Sequence, residues 1–151
     1  MTSFDQVLAR MAGRRVYIDT NLLIYFFNQE ARSFPLVALL LKHCASHQVL
    51  GVVSELVMAE ILVQPHRERN TEAITQIKAF FGQPDFLYVS GHPNGFIGES
   101  AVLAGERGMK LIDAMHFHTA IANRCEFFIT HDGNFKSTPA MEVVQIKGFV
   151  D

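Results

Sequence analysis

Val16-Tyr17-Ile18-Asp19-Thr20-Asn21, followed at once by Leu22-Leu23-Ile24-Tyr25-Phe26-Phe27, is the stretch that decides the fold. Its first three residues are β-branched or aromatic, as in a buried strand, and the apolar run after Asn21 lacks strict alternation, so the whole reads as a strand feeding a helix. Asp19 then stands at the strand's C-terminal end. The same pattern recurs outward from this point. Val49 to Val53, Phe86 to Val89, Phe127 to Thr130 and Val143 to Ile146 are further strand candidates. Between them lie helical stretches at Pro35 to Gln48, Ser54 to Gln64, Thr71 to Phe81, Phe96 to Arg107 and Ala114 to Arg124. Pro35 suits a first helical turn, Ser54 a cap, and Pro65, Gly82 and Gly108 the ends of helices. Strands alternating with helices predict a three-layer α/β/α fold around a mostly parallel five-stranded sheet, with any binding site beyond the strands' C-terminal ends.

A chain of 151 residues, 49% hydrophobic, is long enough for one domain with a real core and shows no repeat or linker, so residues 1–151 are read as a single domain. Residues 1–14 form an extension ahead of the first strand, expected to be an amphipathic helix and unlike a secretory signal because its arginines come last. No apolar run approaches the roughly 18 residues of a membrane span. Two distant cysteines, Cys44 and Cys125, outside any C-x-x-C pattern, argue against a disulfide framework or zinc knuckle and favour a reduced, cytoplasmic setting. With 13 Lys and Arg against 15 Asp and Glu, the formal charge of -2 provides no general field for nucleic acid, so such a partner would depend on local cations or metal ions.

Most acids sit in polar runs where a solvated role suffices, but four interrupt apolar sequence: Asp19, Glu60, Asp113 and Asp132. Three have ordinary readings. Asp19 suits a strand-to-helix turn, Asp113 a helix cap and Asp132 a turn with Gly133. Glu60 has no such reading, because at helical spacing Leu56, Val57, Val63 and Gln64 offer neither a cap role nor a cationic partner. A buried ionised carboxylate must be paired, protonated or metal-bound. Convergence of all four at one sheet edge would require a cation, and an all-oxygen donor set selects Mg2+ or Mn2+. Such a site suits phosphodiester hydrolysis by metal-activated water.

Tyr-Ile-Asp19-Thr-Asn, Ser54 followed by Glu60, Asp113-Ala-Met-His116 with Thr119-Ala120, and Phe-Ile-Thr130-His-Asp132 with Phe135 together resemble the PIN-domain nucleases, and within them the VapC-type toxins. The resemblance runs from Val16 to the last strand. It implies a five-stranded parallel sheet between helices and Mg2+- or Mn2+-dependent cleavage of RNA. It makes Asp19, Glu60, Asp113 and Asp132 both the catalytic residues and the metal ligands, with Ser54 and Thr130 as supporting hydroxyls. The partners it implies are RNA, a small antitoxin protein and a second copy of the chain in a homodimer. The chain departs from the pattern at His131, where many members have a basic or amide residue, and at Asn134, where they often have another acid.

Asn21 and His116 are further supporting candidates. His116 lies one turn after Asp113, where it would bond that carboxylate or substrate, or pack as an ordinary core histidine. Lys136 and Arg67 are the cations assigned to RNA phosphates, although a solvated role is the default for such residues. The paired phenylalanines read as core. Two alternatives stand beside the ribonuclease: a silent PIN-like module that binds RNA or protein, and a haloacid-dehalogenase-like phosphatase with Asp19 as nucleophile, which would want an acid where Asn21 stands.

Overall fold

The computed structural model of the chain describes residues 3–150. Its elements in order are α1 (Phe4–Met11), β1 (Arg15–Ile18), α2 (Thr20–Phe27), α3 (Phe34–Ala45), β2 (Leu50–Ser54), α4 (Glu55–Arg67), α5 (Thr71–Phe81), β3 (Leu87–Ser90), α6 (Phe96–Arg107), α7 (Leu111–Ala122), β4 (Phe127–Thr130) and β5 (Glu142–Gln145), with a short 3-10 turn at Ile146–Phe149. All neighbouring strands are parallel in the order β3-β2-β1-β4-β5. This is the predicted three-layer α/β/α architecture. Right-handed crossovers place α2 to α5 on one face and α6 and α7 on the other. The direction of winding therefore reverses between β1 and β4, and in open parallel sheets that reversal opens a crevice at the strands' C-terminal ends.

The sheet's centre is wholly apolar. Val16, Tyr17 and Ile18 of β1, with Phe128 and Ile129 of β4, are fully buried, and the Tyr17 and Phe128 rings stack at 5.0 Å. Gly51 is needed in β2 because a Cβ there would lie 2.6 Å from Leu87 Cδ2 and 2.8 Å from Cys44 Sγ. The extension is helical as expected: Ser3 and Gln6 form a reciprocal capping box, and Phe4, Val7, Leu8 and Met11 are buried. Residues 1 and 2 lie outside the described residues. Phe81, Phe127 and Phe128 are buried, and Phe26, Phe27 and Phe80 pack against the core, as paired phenylalanines in apolar runs should.

Three helix ends differ from expectation by three residues, the first being α3, which stops at Ala45 and not at Gln48. Helix α4 runs through Pro65 instead of stopping before it. The proline sits in the last turn, where its missing N–H removes a single link, while Glu68 and Asn70 still bond back to Gln64 and Pro65. Helix α7 begins three residues before Ala114, so Asp113 is inside its first turn and Lys110 takes the cap position. Leu111 and Ile112 are 42% and 45% exposed, so this first turn carries apolar residues outside the core and the burial pattern conceals the start. Among the described residues, no helix is long and apolar enough to cross a membrane.

Candidate active site

The crevice between the ends of β1 and β4 is built outward from Asp19. As the N-cap of α2, Asp19 accepts the Thr20 amide on Oδ1 at 2.9 Å. Its Oδ2 accepts the Thr130 hydroxyl at 2.7 Å and, at 3.4 Å, the Asn21 amide. The cap reading of this residue is therefore correct, yet it does not exhaust the residue. Asp19 is 6% exposed and, among the described residues, accepts hydrogen bonds only from neutral groups. Burial pushes its carboxyl above the ordinary value, despite opposing effects of nearby His116, Thr130 and Thr20. That is a buried carboxylate without a cation in direct contact.

Asn21 clamps the two strand ends together. Its Nδ2 reaches Asp19 and Thr130, while its Oδ1 accepts the His131 amide at 3.2 Å. Thr130 extends the connection, since its hydroxyl also accepts the Asp132 amide at 3.0 Å. Asp132 itself accepts the Asn134 amide on Oδ1, so its turn reading holds as well.

Glu60 lies in the second turn of α4. The sequence around it offers no partner, but the fold does: His116 Nε2 lies 2.6 Å from Glu60 Oε1, and the Thr20 hydroxyl donates to the same oxygen at 2.7 Å. Burial raises the Glu60 pKa, and the His116 and Thr20 contacts outweigh it, leaving the group below its usual value. His116 is 2% exposed, and its other nitrogen, Nδ1, is 2.7 Å from the Tyr17 hydroxyl. It bonds Glu60 rather than Asp113, the partner that spacing along α7 suggests. Burial above all, with Asp19 and Glu60, pushes Tyr17 well up and keeps its phenol protonated.

Asp113 completes the group from α7. Burial and then Asp132 raise its pKa, with Glu60 adding to the repulsion and His116 and Lys110 opposing it. The four acids thus form a ring: Asp19 joins Glu60 through Thr20, Glu60 and Asp113 repel, Asp113 and Asp132 repel, and Asp132 returns to Asp19 through Thr130. These links run through shared neighbours and mutual repulsion, not through direct contact. Among the described residues, no three His, Cys, Asp or Glu side chains stand close enough to enclose an ion. A donor set made of carboxylate oxygens is of the kind that suits Mg2+ or Mn2+, which take few protein ligands and keep several waters.

Ser54 meets the Tyr17 hydroxyl through its backbone, while its side chain is engaged away from the acids. Its hydroxyl caps α4 through Leu56 and bonds His92 Nε2 at 2.8 Å. His92, Phe96 and His118 form a continuous parallel stack at 4.4 and 4.3 Å, so His118 belongs to this packing and not to the acids. Lys136 Nζ donates to the Gly133 carbonyl in the turn that carries Asp132. Arg67 is exposed in the last turn of α4, two turns past Glu60. Sequence reasoning missed Thr20 and Tyr17. The signal for Thr20 was its place directly after Asp19; Tyr17 carried none, since an aromatic in a buried strand is ordinary.

The PIN domain family matches residues 16–141, from the first residue of the deciding stretch to the threshold of β5. The chain belongs to the PIN domain family. No curated protein matches it. Among solved structures it is similar to VapBC2 from Rickettsia felis bound to a DNA fragment from its promoter, at 18% identity and a TM-score of 0.62, covering 86% of this chain and 97% of that one. It is also similar to a toxin-antitoxin complex from Klebsiella pneumoniae, at 22% identity and a TM-score of 0.59, covering 85% and 95%. A third similar structure is Mycobacterium tuberculosis VapC20, a sarcin-ricin loop cleaving toxin, at 16% identity and a TM-score of 0.62, covering 78% and 90%. At these identities the likeness establishes the fold, and the PIN-like sheet is the one predicted.

Proposed function

We propose that this PIN-domain chain is a Mg2+- or Mn2+-dependent endoribonuclease. The observation that carries the reading is Asp19, a nearly buried carboxylate that among the described residues has neutral donors only and is linked through shared neighbours to three more acids at the reversal point of a parallel sheet. Asp19, Glu60, Asp113 and Asp132 would hold the ion. When bound, a hard divalent ion supplies an activated water and offsets charge on the scissile phosphate. The chain's own part is positional. Thr20, Thr130 and Asn21 fix Asp19, and His116 and Thr20 hold Glu60 ionised. Lys136 beside the Asp132 turn, and Lys110 near Asp113, supply the local positive charge that a net -2 chain needs around an RNA phosphate.

Asn21 weighs against a phosphatase nucleophile at Asp19. It is an amide committed to clamping Asp19, Thr130 and His131, where a catalytic acid would be wanted. The similar structures, one a toxin-antitoxin complex and one described as a toxin, support the toxin of a two-protein pair silenced by a small antitoxin; the reading also takes the chain to work in the cytoplasm as a homodimer. Purified protein with Mn2+ is expected to cut RNA, to stop on adding EDTA and to lose cleavage in Asp19→Asn. Equal cleavage by both proteins, or cleavage indifferent to EDTA, overturns the reading; calorimetry showing no Mn2+ uptake would instead favour a silent binding module.

A further inference from the structure

A line of buried polar groups passes beneath the acidic ring: the Tyr17 hydroxyl, the His116 imidazole, Glu60 Oε1 and the Thr20 hydroxyl, joined at 2.7, 2.6 and 2.7 Å. Tyr17 is fully buried, and His116 and Thr20 are 2% and 7% exposed. Three features distinguish this line from an ordinary satisfied core histidine. Both donors to Glu60 converge on the same oxygen, and among the described residues Oε2 has no hydrogen-bond partner, so it is the oxygen left for the groove. Thr20 bonds two acids at once, giving its backbone N–H to Asp19 and its hydroxyl to Glu60. Finally, α7 places His116 one turn below Asp113, so the same helix supplies an acid to the ring and a prop beneath it.

We propose that Tyr17, His116 and Thr20 are positioning residues that hold Glu60 with Oε2 turned to the acidic ring and so set how tightly the site takes a divalent cation. The inference rests on the ribonuclease reading for its purpose but not for its geometry. An ionised carboxylate only accepts, so the proton at the His116–Glu60 contact is on Nε2. Nδ1 is then free to accept from the protonated Tyr17 hydroxyl, and the orientation of the imidazole is fixed at both ends. Groups that orient a metal ligand from behind typically change metal affinity by about 10–100-fold when removed.

The test is Mn2+ calorimetry on the full chain. His116→Leu is expected to weaken Mn2+ binding by about 10–100-fold, and Tyr17→Phe and Thr20→Val by about tenfold each. His116→Gln should recover part of the loss, because its amide N–H can still donate to Glu60. Tyr17→Phe keeps the ring stacked on Phe128, and Thr20→Ser keeps the hydroxyl, so both remain informative if His116→Leu fails to fold. Ser100→Ala, which removes the hydroxyl bonded to His118, serves as a control in the same helical layer and should leave Mn2+ affinity unchanged. A purely structural role predicts lowered melting temperatures with wild-type Mn2+ affinity in folded Tyr17→Phe and Thr20→Val, and that result overturns the proposal. If the wild type itself takes up no Mn2+, the ribonuclease reading has failed, and the geometry is judged alone. Imidazole 15N shifts of the metal-free protein at mildly alkaline pH then sustain it if Nε2 is protonated and Nδ1 is an acceptor, and overturn it otherwise.

Discussion

The two halves of the acidic ring are built differently. Asp19 and Glu60 are tied to the core by hydroxyls, an amide and an imidazole, and between them they accept five side-chain or backbone donors. Asp113 and Asp132, half-buried as Glu60 is, lack such anchoring, and Asp113 feels mainly burial and its neighbour's charge. The difference suggests a division of labour, in which a rigid half fixes one side of the cation and a looser half closes on it. The anchoring of the donors explains why the rigid half can be so well satisfied: every donor to Asp19 and Glu60 comes from a residue in a strand, in α2 or in α7. The looser half stands on a turn and on the exposed start of a helix.

The largest expected effect comes from breaking the rigid half. Asp19→Asn keeps the cap, since asparagine caps as well as aspartate, but removes the charge; RNA cleavage should fall by at least about 100-fold, beyond the usual cost of losing a group behind a ligand. Its metal-free stability should respond in the opposite direction. Because the Asp19 carboxyl is raised in the folded state, the wild type binds its proton more strongly folded than unfolded. Relative to Asp19→Asn, it should therefore lose stability as pH climbs from the ordinary value of 3.8 to the raised one, and urea unfolding across acid pH would show this.

The next effect concerns the looser half. Mn2+ at about 100 times its Kd contributes about 2.7 kcal/mol, or roughly 5–10 °C in melting temperature for a domain of this size. Asp113→Asn should cut that gain sharply while leaving the metal-free melting temperature almost unchanged, whereas equal cation-induced shifts in both proteins would erase the proposed difference between the halves. Thr130→Val tests the link between them. It leaves Asp19 Oδ2 and the Asp132 amide without their shared partner, for a loss of about 1–3 kcal/mol in chemical denaturation that Thr130→Ser largely avoids. The smallest effect belongs to Lys136→Ala, an exposed cation at the Asp132 turn: a rise of about twofold in KM for RNA, fading as salt is added, with kcat retained.

Much of this was legible in the sequence. The five strands, their parallel arrangement and the place of Asp19 follow from apolar runs such as Val16 to Ile18 and Phe127 to Thr130, because a buried parallel strand has nothing to alternate with. The four acids were recognisable as charges interrupting apolar sequence. What sequence could not show was the partner of Glu60. Helical spacing reports only neighbours along α4, whereas His116 arrives from another helix on the opposite face of the sheet, 56 positions away. Along its own helix Glu60 has no partner, and across the fold it has His116. The start of α7 was hidden for a related reason: Leu111 and Ile112 face outward, so hydrophobicity there does not report burial.

The central claim, that the four acids together hold one divalent cation or more, is tested most directly by diffraction from crystals soaked in Mn2+, using its anomalous signal. The account predicts a peak inside the ring, within ligand distance of Asp19 and of at least one acid of the looser half, and absent from Asp19→Asn crystals. A peak elsewhere, or none under conditions where the same protein cuts RNA, would contradict it.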